Sequence, residues 1–448
     1  MANSIKKIAT GKHRYWALAL LVSNPAGAAI ALQQWTLPSG AQVLLAESPA
    51  IPMVDVQLDF DAGGRRDPAG KAGLASATAG MGSKGLLAKA GQSALDENQL
   101  AQAWADLGAS FSASAGTDRT SYQLRSLTEP DLLGTASLLA ARQLAEPALA
   151  DALWRRERER LVASLKEAET RPATQASRAY SAAVFGNHPY ARQATPASLA
   201  AIQAADLQAF HRQGMLACRA KVSIVGALNR AQAEVLVNTL LSRLPQGACP
   251  VLPLVAEVAP LAQPLELRLP FDSAQAHVLL GQPGIKRNDP DFFPLFVGNY
   301  LLGGGTFVSR LTTEVREKRG LTYSVSSGFN PGLHAGSFTI SLQTRPDQAA
   351  QALQVSREVL TQFVTDGPSQ ADLQTAKTNL VNSFALRIDS NRKLLDNIAN
   401  IAWHGLPLDY LDQWTAQVDK VTVADVKAAF ARTLQPARMV TVLLGAKP

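Results

Sequence analysis

Gly320-Leu321-Thr322-Tyr323-Ser324-Val325-Ser326-Ser327 lines up with Leu107-Gly108-Ala109-Ser110-Phe111-Ser112-Ala113-Ser114 in the first half of the chain. A strand of alternating apolar and polar residues follows each copy: Ser121-Tyr122-Gln123-Leu124-Arg125-Ser126, then Ser337-Phe338-Thr339-Ile340-Ser341-Leu342. Two runs of helical period come next, over 131–144 and 149–168 in the first half and over 347–365 and 369–386 in the second. Pro147 and Gly367-Pro368 punctuate the pairs at matching places. This order predicts an internal duplication. Strands that alternate need only one covered face, so each copy reads as a mostly antiparallel sheet with helices packed on one face. The fold class is α+β, two homologous lobes that form half of a clam shell.

The remaining sequence sets the boundaries. A length of 448 residues exceeds one ordinary domain, and 47% hydrophobic residues can fill two cores. The first lobe runs over 32–247 and ends near Leu244-Pro245-Gln246-Gly247. A Pro- and Val-rich stretch without helical period, 248–264, reads as a linker, and strand-like text restarts at Leu265 to give a second lobe over 265–448.

Residues 1–31 read as a secretory signal peptide. Lys6, Lys7, Lys12 and Arg14 precede an apolar run from Tyr15 to Val22, broken at Ser23-Asn24-Pro25. Cleavage after Ala28 or Ala31 fits the small-residue rule, whereas an uncleaved anchor would need roughly 20 apolar residues. The expected location is the periplasm, without stable membrane insertion. The formal charge of +7 includes those four leader cations, and losing them leaves less than half of it. The other cations alternate with acids, as in Arg155-Arg156-Glu157-Arg158-Glu159-Arg160, so nothing argues for nucleic acid. Cys218 and Cys249 define no framework, and they are expected to stay unpaired rather than bridged.

With Leu37-Pro38-Ser39-Gly40-Ala41-Gln42-Val43, Gly73-Leu74-Ala75, Gly186-Asn187-His188-Pro189-Tyr190, Asp206 to His211 and Val222 to Gly226 in that order, the chain resembles the pitrilysin and mitochondrial-processing-peptidase family of inverted zinc metallopeptidases. In active members Gly-Leu-Ala leads into H-x-x-E-H on a helix, where two histidines at i and i+4 hold zinc and the glutamate serves as general base. Here Ser76, Ala79 and Gly80 occupy those places, and Ser164 falls where the third ligand is expected, with Glu167 and Glu169 nearby. A hydroxyl is a poor zinc ligand, and Ala and Gly have no donor at all. No metal is therefore expected in this chain, and no two of its six histidines are spaced to replace the set. Ser76, Ala77 and Gly80 instead read as a small-residue helix face against which another element packs.

The resemblance assigns the second lobe a different part. Arg316 and Tyr323, in the setting Arg316-Glu317-Lys318-Arg319-Gly320-Leu321-Thr322-Tyr323, match the family's substrate-binding arginine and tyrosine seven residues apart. A tyrosine hydroxyl can donate to a scissile carbonyl as it gains charge, and a guanidinium can hold neighbouring backbone carbonyls. Gly303-Gly304-Gly305 lacks the Gly-Lys-Ser/Thr ending of a phosphate loop. It reads equally as a helix stop or as a loop that touches substrate. The resemblance implies the non-zinc subunit of a heterodimer. Arg316 and Tyr323 would act in trans on an unstructured peptide, beside a zinc-bearing H-x-x-E-H partner. The alternative is a homodimeric, holdase-like protein that sequesters peptides without hydrolysis.

Overall fold

The computed structural model describes residues 31–89, 91–305 and 309–447. Residues 1–30 of the expected signal peptide, with the site after Ala28, lie outside the described residues. The first half supplies β1 (Leu32–Thr36), β2 (Gln42–Glu47), β3 (Met53–Phe60), the short ribbon β4 (Gly85–Leu86) and β5 (Leu95–Asp96), β6 (Ser110–Ala115), β7 (Thr120–Leu127) and β8 (Lys221–Gly226). Its helices are α1 (Leu74–Met81), α2 (Glu97–Asp106), α3 (Pro130–Ala145), α4 (Asp151–Ala168), α5 (Pro172–Phe185), α6 (Pro196–Ala201), α7 (Ala204–Gly214) and α8 (Arg230–Leu241). The second half supplies β9 (Leu265–Leu269), β10 (Ala276–Pro283), β11 (Val325–Asn330), β12 (Ser337–Thr344) and β13 (Val440–Leu444). Its helices are α9 (Phe292–Asn299), α10 (Ala349–Asp366), α11 (Gln370–Asn382), α12 (Asn391–His404), α13 (Tyr410–Lys420) and α14 (Val423–Thr433).

The duplication is visible in the strand order. One sheet runs β1-β2-β8-β3-β7-β6 and the other β9-β13-β10-β12-β11. Setting β1 aside, the two orders correspond strand for strand. Each sheet has one parallel pair, β2 with β8 and β13 with β9, and these occupy the same place; all other pairs are antiparallel. The α+β expectation of two homologous, mostly antiparallel lobes with helices on one face therefore holds. Val43, Leu45, Val56, Leu58, Val222 and Ile224 point to one side, where Ala136, Ala140 and Leu144 of α3 and Leu236 and Leu240 of α8 close the core.

A further layer comes from exchange between the halves. Helix α5 packs on β10 and β13 of the second sheet, and α12 packs on β8 and β3 of the first. The sequence explains the crossing. Leu44, Ala46 and Val225 are buried on the face opposite the α3 core, so those strands carry apolar residues on both sides. Leu395, Ile398 and Ile401 of α12 cover them at helical spacing. Reciprocally, Ala176, Tyr180 and Val184 of α5 meet Val440, Val442 and Leu444. Polar contacts fix both crossings. Lys221 Nζ donates to the last-turn carbonyls of Ala402 and Trp403 at 2.9 and 3.2 Å, favourable both as hydrogen bonds and against the helix dipole. Tyr180 Oη donates to Phe338 O at 2.8 Å.

The expectation of unpaired thiols is corrected: Cys218 and Cys249 form a disulfide. Two cysteines in sequence carry no geometry. The turn after α7 and the first residues beyond α8 bring their Cα atoms to 5.8 Å, inside the range a bridge needs.

Two predictions follow from these contacts. Ile398→Ala removes a fully buried side chain and should lower the unfolding free energy by about 2–5 kcal/mol. Because α12 belongs to one half and covers the other's sheet, hydrogen exchange should speed up in β3 and β8 as well as in α12; urea denaturation and exchange mass spectrometry check this. The disulfide spans a sequence separation of 31, so Cys218→Ser should cost about 3–4 kcal/mol by loop entropy, less whatever order α8 keeps in the unfolded chain. Thermal unfolding with and without reductant measures it.

Candidate substrate cavity

Strand alternation builds the principal cavity. Along β10 and β12 the even positions Ala276, Val278, Leu280, Phe338 and Ile340 fill the core. The odd positions from Gln275 to Leu279 and from Ser337 to Gln343 face the opposite way, onto a cavity of about 830 Å³. Ser177, Tyr180 and Ser181 of α5 form a second wall, and the β6–β7 turn and the end of α12 a third. Hydroxyl and amide groups predominate. Its Asp118 carboxylate is engaged by Arg65 Nε at 3.0 Å and by the Tyr190 hydroxyl at 2.7 Å, and its Arg119 by Asp59 at 2.9 Å. Burial lowers the His277 pKa. Burial, reinforced by Arg287 and Arg119, pushes His404 down to about 4. The walls are thus polar but nearly neutral, which suits a peptide backbone better than a strongly charged ligand. Ser324 and Ser326 stand at the rim beside β11, an edge strand of the second sheet.

Tyr323 stands on this cavity with 86% of its surface exposed. The backbone that carries it is tightly held. Leu321 and Thr322 on one side are buried. Thr344 Oγ1 donates to Leu321 O, and the Thr322 hydroxyl lies 2.6 Å from Gln343 O while accepting the Ser324 amide at 3.1 Å. A pinned main chain therefore presents a free phenol. Arg316 lies at the exposed end of a π-helical turn, Thr312–Glu317, anchored by fully buried Val315. The Gly320 amide bonds Arg316 O at 2.9 Å and the Leu321 amide bonds Val315 O at 3.0 Å, so the turn closes on itself. Gly320 supplies the left-handed conformation (φ +60°) that lets the chain leave this helix and enter the sheet. That closure sets the spacing between the arginine and the tyrosine. The cavity lining includes Tyr323 but not Arg316.

Gly303, Gly304 and Gly305 are not on the cavity wall either. Tyr300–Gly304 continues α9 as a π-helical turn and ends at Gly305. A Cβ on Gly303 would sit 2.5 Å from Ser327 Oγ and 2.6 Å from its amide nitrogen, so glycine here permits close packing on β11. Asn299 and Ser327 lock that contact with reciprocal hydrogen bonds of 3.1 and 2.7 Å. These glycines end a helix, as one of the two sequence readings expects; 306–308 lie outside the described residues.

Ser76, Ala79 and Gly80, the positions at which the resemblance expects a zinc motif, lie on α1. Ser76 and Gly80 are exposed, and a Cβ on Gly80 would meet nothing within 4 Å, whereas Ala79 is buried. The expected tightly packed small-residue face is therefore corrected: only Ala77 of that set is packed, in a cluster with Trp154 and Leu207. One face of a helix one turn apart carries both exposed positions, and nothing covers them. Ser164 is likewise exposed on α4, while Glu167 and Glu169 pair with Arg171 and Arg178. Among the described residues no group of three His, Cys, Asp or Glu side chains could hold a metal ion. Asp67 organises the start of α1, its carboxylate accepting the Gly73 and Ala75 amides at 2.7 and 2.8 Å. Burial nevertheless raises its pKa to about 6.

A second cluster escaped sequence reasoning. His188 and His334 lie far apart in sequence, yet their rings are 5.2 Å apart. The Tyr190 hydroxyl accepts the His334 amide at 3.1 Å and reaches Asp118, while Glu257, between the lobes in sequence, pairs with Lys286. The motif Gly186 to Tyr190 was visible as text, but its contacts come from three distant segments.

Asp67 yields a pH prediction. A folded-state pKa raised from the ordinary carboxylate range to about 6 means that the native protein holds the proton longer than the unfolded chain. Stability from this group is therefore present at low pH and lost as pH rises from about 4 to about 6. Asp67→Asn should flatten the stability profile across that window, as read by denaturant midpoints at successive pH values.

Comparison with known proteins gives concordant matches. Residues 42–196 match the family model described as insulinase (peptidase family M16), and residues 201–380 the one described as peptidase M16 inactive domain. An uncharacterized zinc protease of Mycobacterium tuberculosis is 28% identical over 426 residues, covering 94% of this chain and 95% of that protein. The crystal structure of a peptidase M16 inactive domain from Pseudomonas fluorescens superposes with a TM-score of 0.86 at 34% identity, covering 93% of this chain and 98% of that one. The periplasmic protease PqqL of Escherichia coli shares the fold with a TM-score of 0.77 at 20% identity; the match covers 99% of this chain but 49% of that one.

Proposed function

Because the chain belongs to the M16 peptidase family, we propose that it is the non-zinc subunit of a periplasmic heterodimeric zinc metallopeptidase. One observation carries this reading: Tyr323 stands almost fully exposed on the cavity from a pinned backbone, while the metal positions of α1 hold Ser76, Ala79 and Gly80. A side chain held out in this way is poised to meet something not in this chain. The fold match over about half of a longer protease supports pairing, since one such chain would then represent half of a complete chamber.

In the assembled pair an extended peptide would lie along the cavity, adding to the free edge of a sheet through main-chain hydrogen bonds. The Tyr323 hydroxyl would donate to the scissile carbonyl oxygen as negative charge develops, and Arg316 would hold neighbouring carbonyls with its fork of N–H donors. The zinc-bearing H-x-x-E-H partner would supply the activated water. The leader directs the chain to the periplasm on this reading, and no helix among the described residues is long and apolar enough to cross a membrane.

The test is co-expression with an H-x-x-E-H homologue, followed by peptidase assay and zinc analysis of the purified pair. Tyr323→Phe should reduce kcat by about 10²–10³-fold, with zinc content and pairing unchanged. Full activity in that variant would sink the trans role. Stoichiometric zinc and peptide cleavage by the single chain would overturn the whole reading. A stable homodimer that ignores the partner and retains peptides would instead identify a sequestering protein.

A further inference from the structure

A second cavity, of about 520 Å³, shares no lining residue with the first. Four guanidiniums line it, and their partners differ. Arg65 and Arg66 are neutralised by Asp61, with Arg65 also on Asp118. Arg192 and Arg219 form no ion pair at contact distance among the described residues; Asp67 and Asp61 act on them only from further away. Arg192 Nη1 donates to Asp67 O at 2.7 Å. Arg219 donates to Gln213 O at 2.8 Å and to Pro250 O at 2.6 Å. Backbone carbonyls satisfy donors without cancelling charge, and each fork keeps further N–H groups. Asp67 acts on Arg192 electrostatically and Asp61 on Arg219, but four guanidiniums against these two carboxylates leave the lining net positive.

The opposite wall is apolar. Residues 250–256 cross the cavity without helix or strand, tied down by Arg66 on Pro253 O and Arg219 on Pro250 O. Leu252 and Leu254 of this strap and Phe210 of α7 line the space. Leu254 is 99% exposed, an aliphatic side chain with nothing packed on it at the edge of a concave, positively charged site. The disulfide tethers the strap at Cys249, next to Pro250. A strap fixed at several points keeps the two walls in place before any ligand arrives, which is what a binding pocket requires.

We propose that this pocket binds a carboxylate joined to an apolar body, the carboxylate on Arg192 and Arg219 and the body against Phe210, Leu252 and Leu254. Two sources share that chemistry: the free C-terminus of a peptide ending in an aliphatic residue, and a fatty acid. A bidentate guanidinium contact rewards a planar carboxylate, and the apolar wall rejects small hydrated anions such as chloride. The site does not depend on the peptidase reading above, because it uses neither Tyr323 nor a second subunit.

Isothermal titration of the full single chain tests it with three probes: N-acetyl-Ala-Leu-Leu free acid, the same peptide as its C-terminal amide, and decanoate. The free acid or decanoate should bind with one-to-one stoichiometry, and whichever is tighter assigns the source. The amide should bind at least about tenfold more weakly than the acid. Arg192→Gln should weaken the carboxylate probe by about tenfold while leaving the thermal midpoint close to wild type, since it loses one surface hydrogen bond. Arg219→Lys keeps the charge at a position that also holds the strap and should retain binding better than Arg219→Gln. Tyr323→Phe should bind unchanged. No binding of either carboxylate, equal binding of acid and amide together with no decanoate binding, or wild-type affinity in Arg192→Gln would each overturn the proposal.

Discussion

The exchange of α5 and α12 between the two halves is the constraint on which the rest of the structure depends. Each lobe has a core of its own, but β2, β8 and β13 carry apolar residues on both faces, and a helix from the other half packs on the second face. Leaving Leu44, Val225, Val440 or Val442 open to water would forfeit the burial free energy of several aliphatic side chains, each worth about 1.5–3 kcal/mol. Covering them fixes the lobes relative to one another. The principal cavity is the space that remains, so its shape is a consequence of the exchange.

The rest of that opposite face is polar, and most of its ladder is paired, the buried Ser223 hydroxyl being the exception. Asp59 receives Arg119, Ser121 and Gln57, Gln123 donates to Gln57, and Arg125 forms an ion pair with Asp55. Burial raises the Asp59 pKa despite Arg119, and burial lowers that of Lys221 despite Asp59, which marks a network removed from water. Buried polar groups are tolerable only when their partners are in place, so this ladder favours one register of β3 against β7 over any other. Arg119 also reaches Ala399 O and Asn400 of α12, joining the ladder to the exchanged helix.

Against this rigid frame, the two segments that the proposed function uses differ in how they are held. The α1 helix is anchored by the Asp67 carboxylate at its start, and its exposed positions carry Ser76 and Gly80. The Arg316–Tyr323 turn keeps both residues and the hydrogen bonds that present one of them. Buried residues such as Leu74 and Met81 hold the helix, so its exposed positions are free to vary without cost to the fold.

The duplication and the helix pairs after each alternating strand were legible from the chain. Alternation and helical period are local properties, and they survive without knowledge of neighbours. That Ala79 and Gly80 offer no side-chain donor is equally a property of the chain, since they lack one in any fold. Other features had no local signal. Pairing of Cys218 with Cys249, the approach of His188 to His334, burial of Gly303 against Ser327 and the open surroundings of Gly80 all depend on segments distant in sequence. The same holds for the exchange of α5 and α12: their apolar stripes predict that each buries a face, but not on which sheet. Sequence thus determined what each element is and which chemistry its side chains can offer. Tertiary structure alone decided which elements meet, because a helix satisfies its own backbone hydrogen bonds and leaves only the fit of its apolar face to choose a partner.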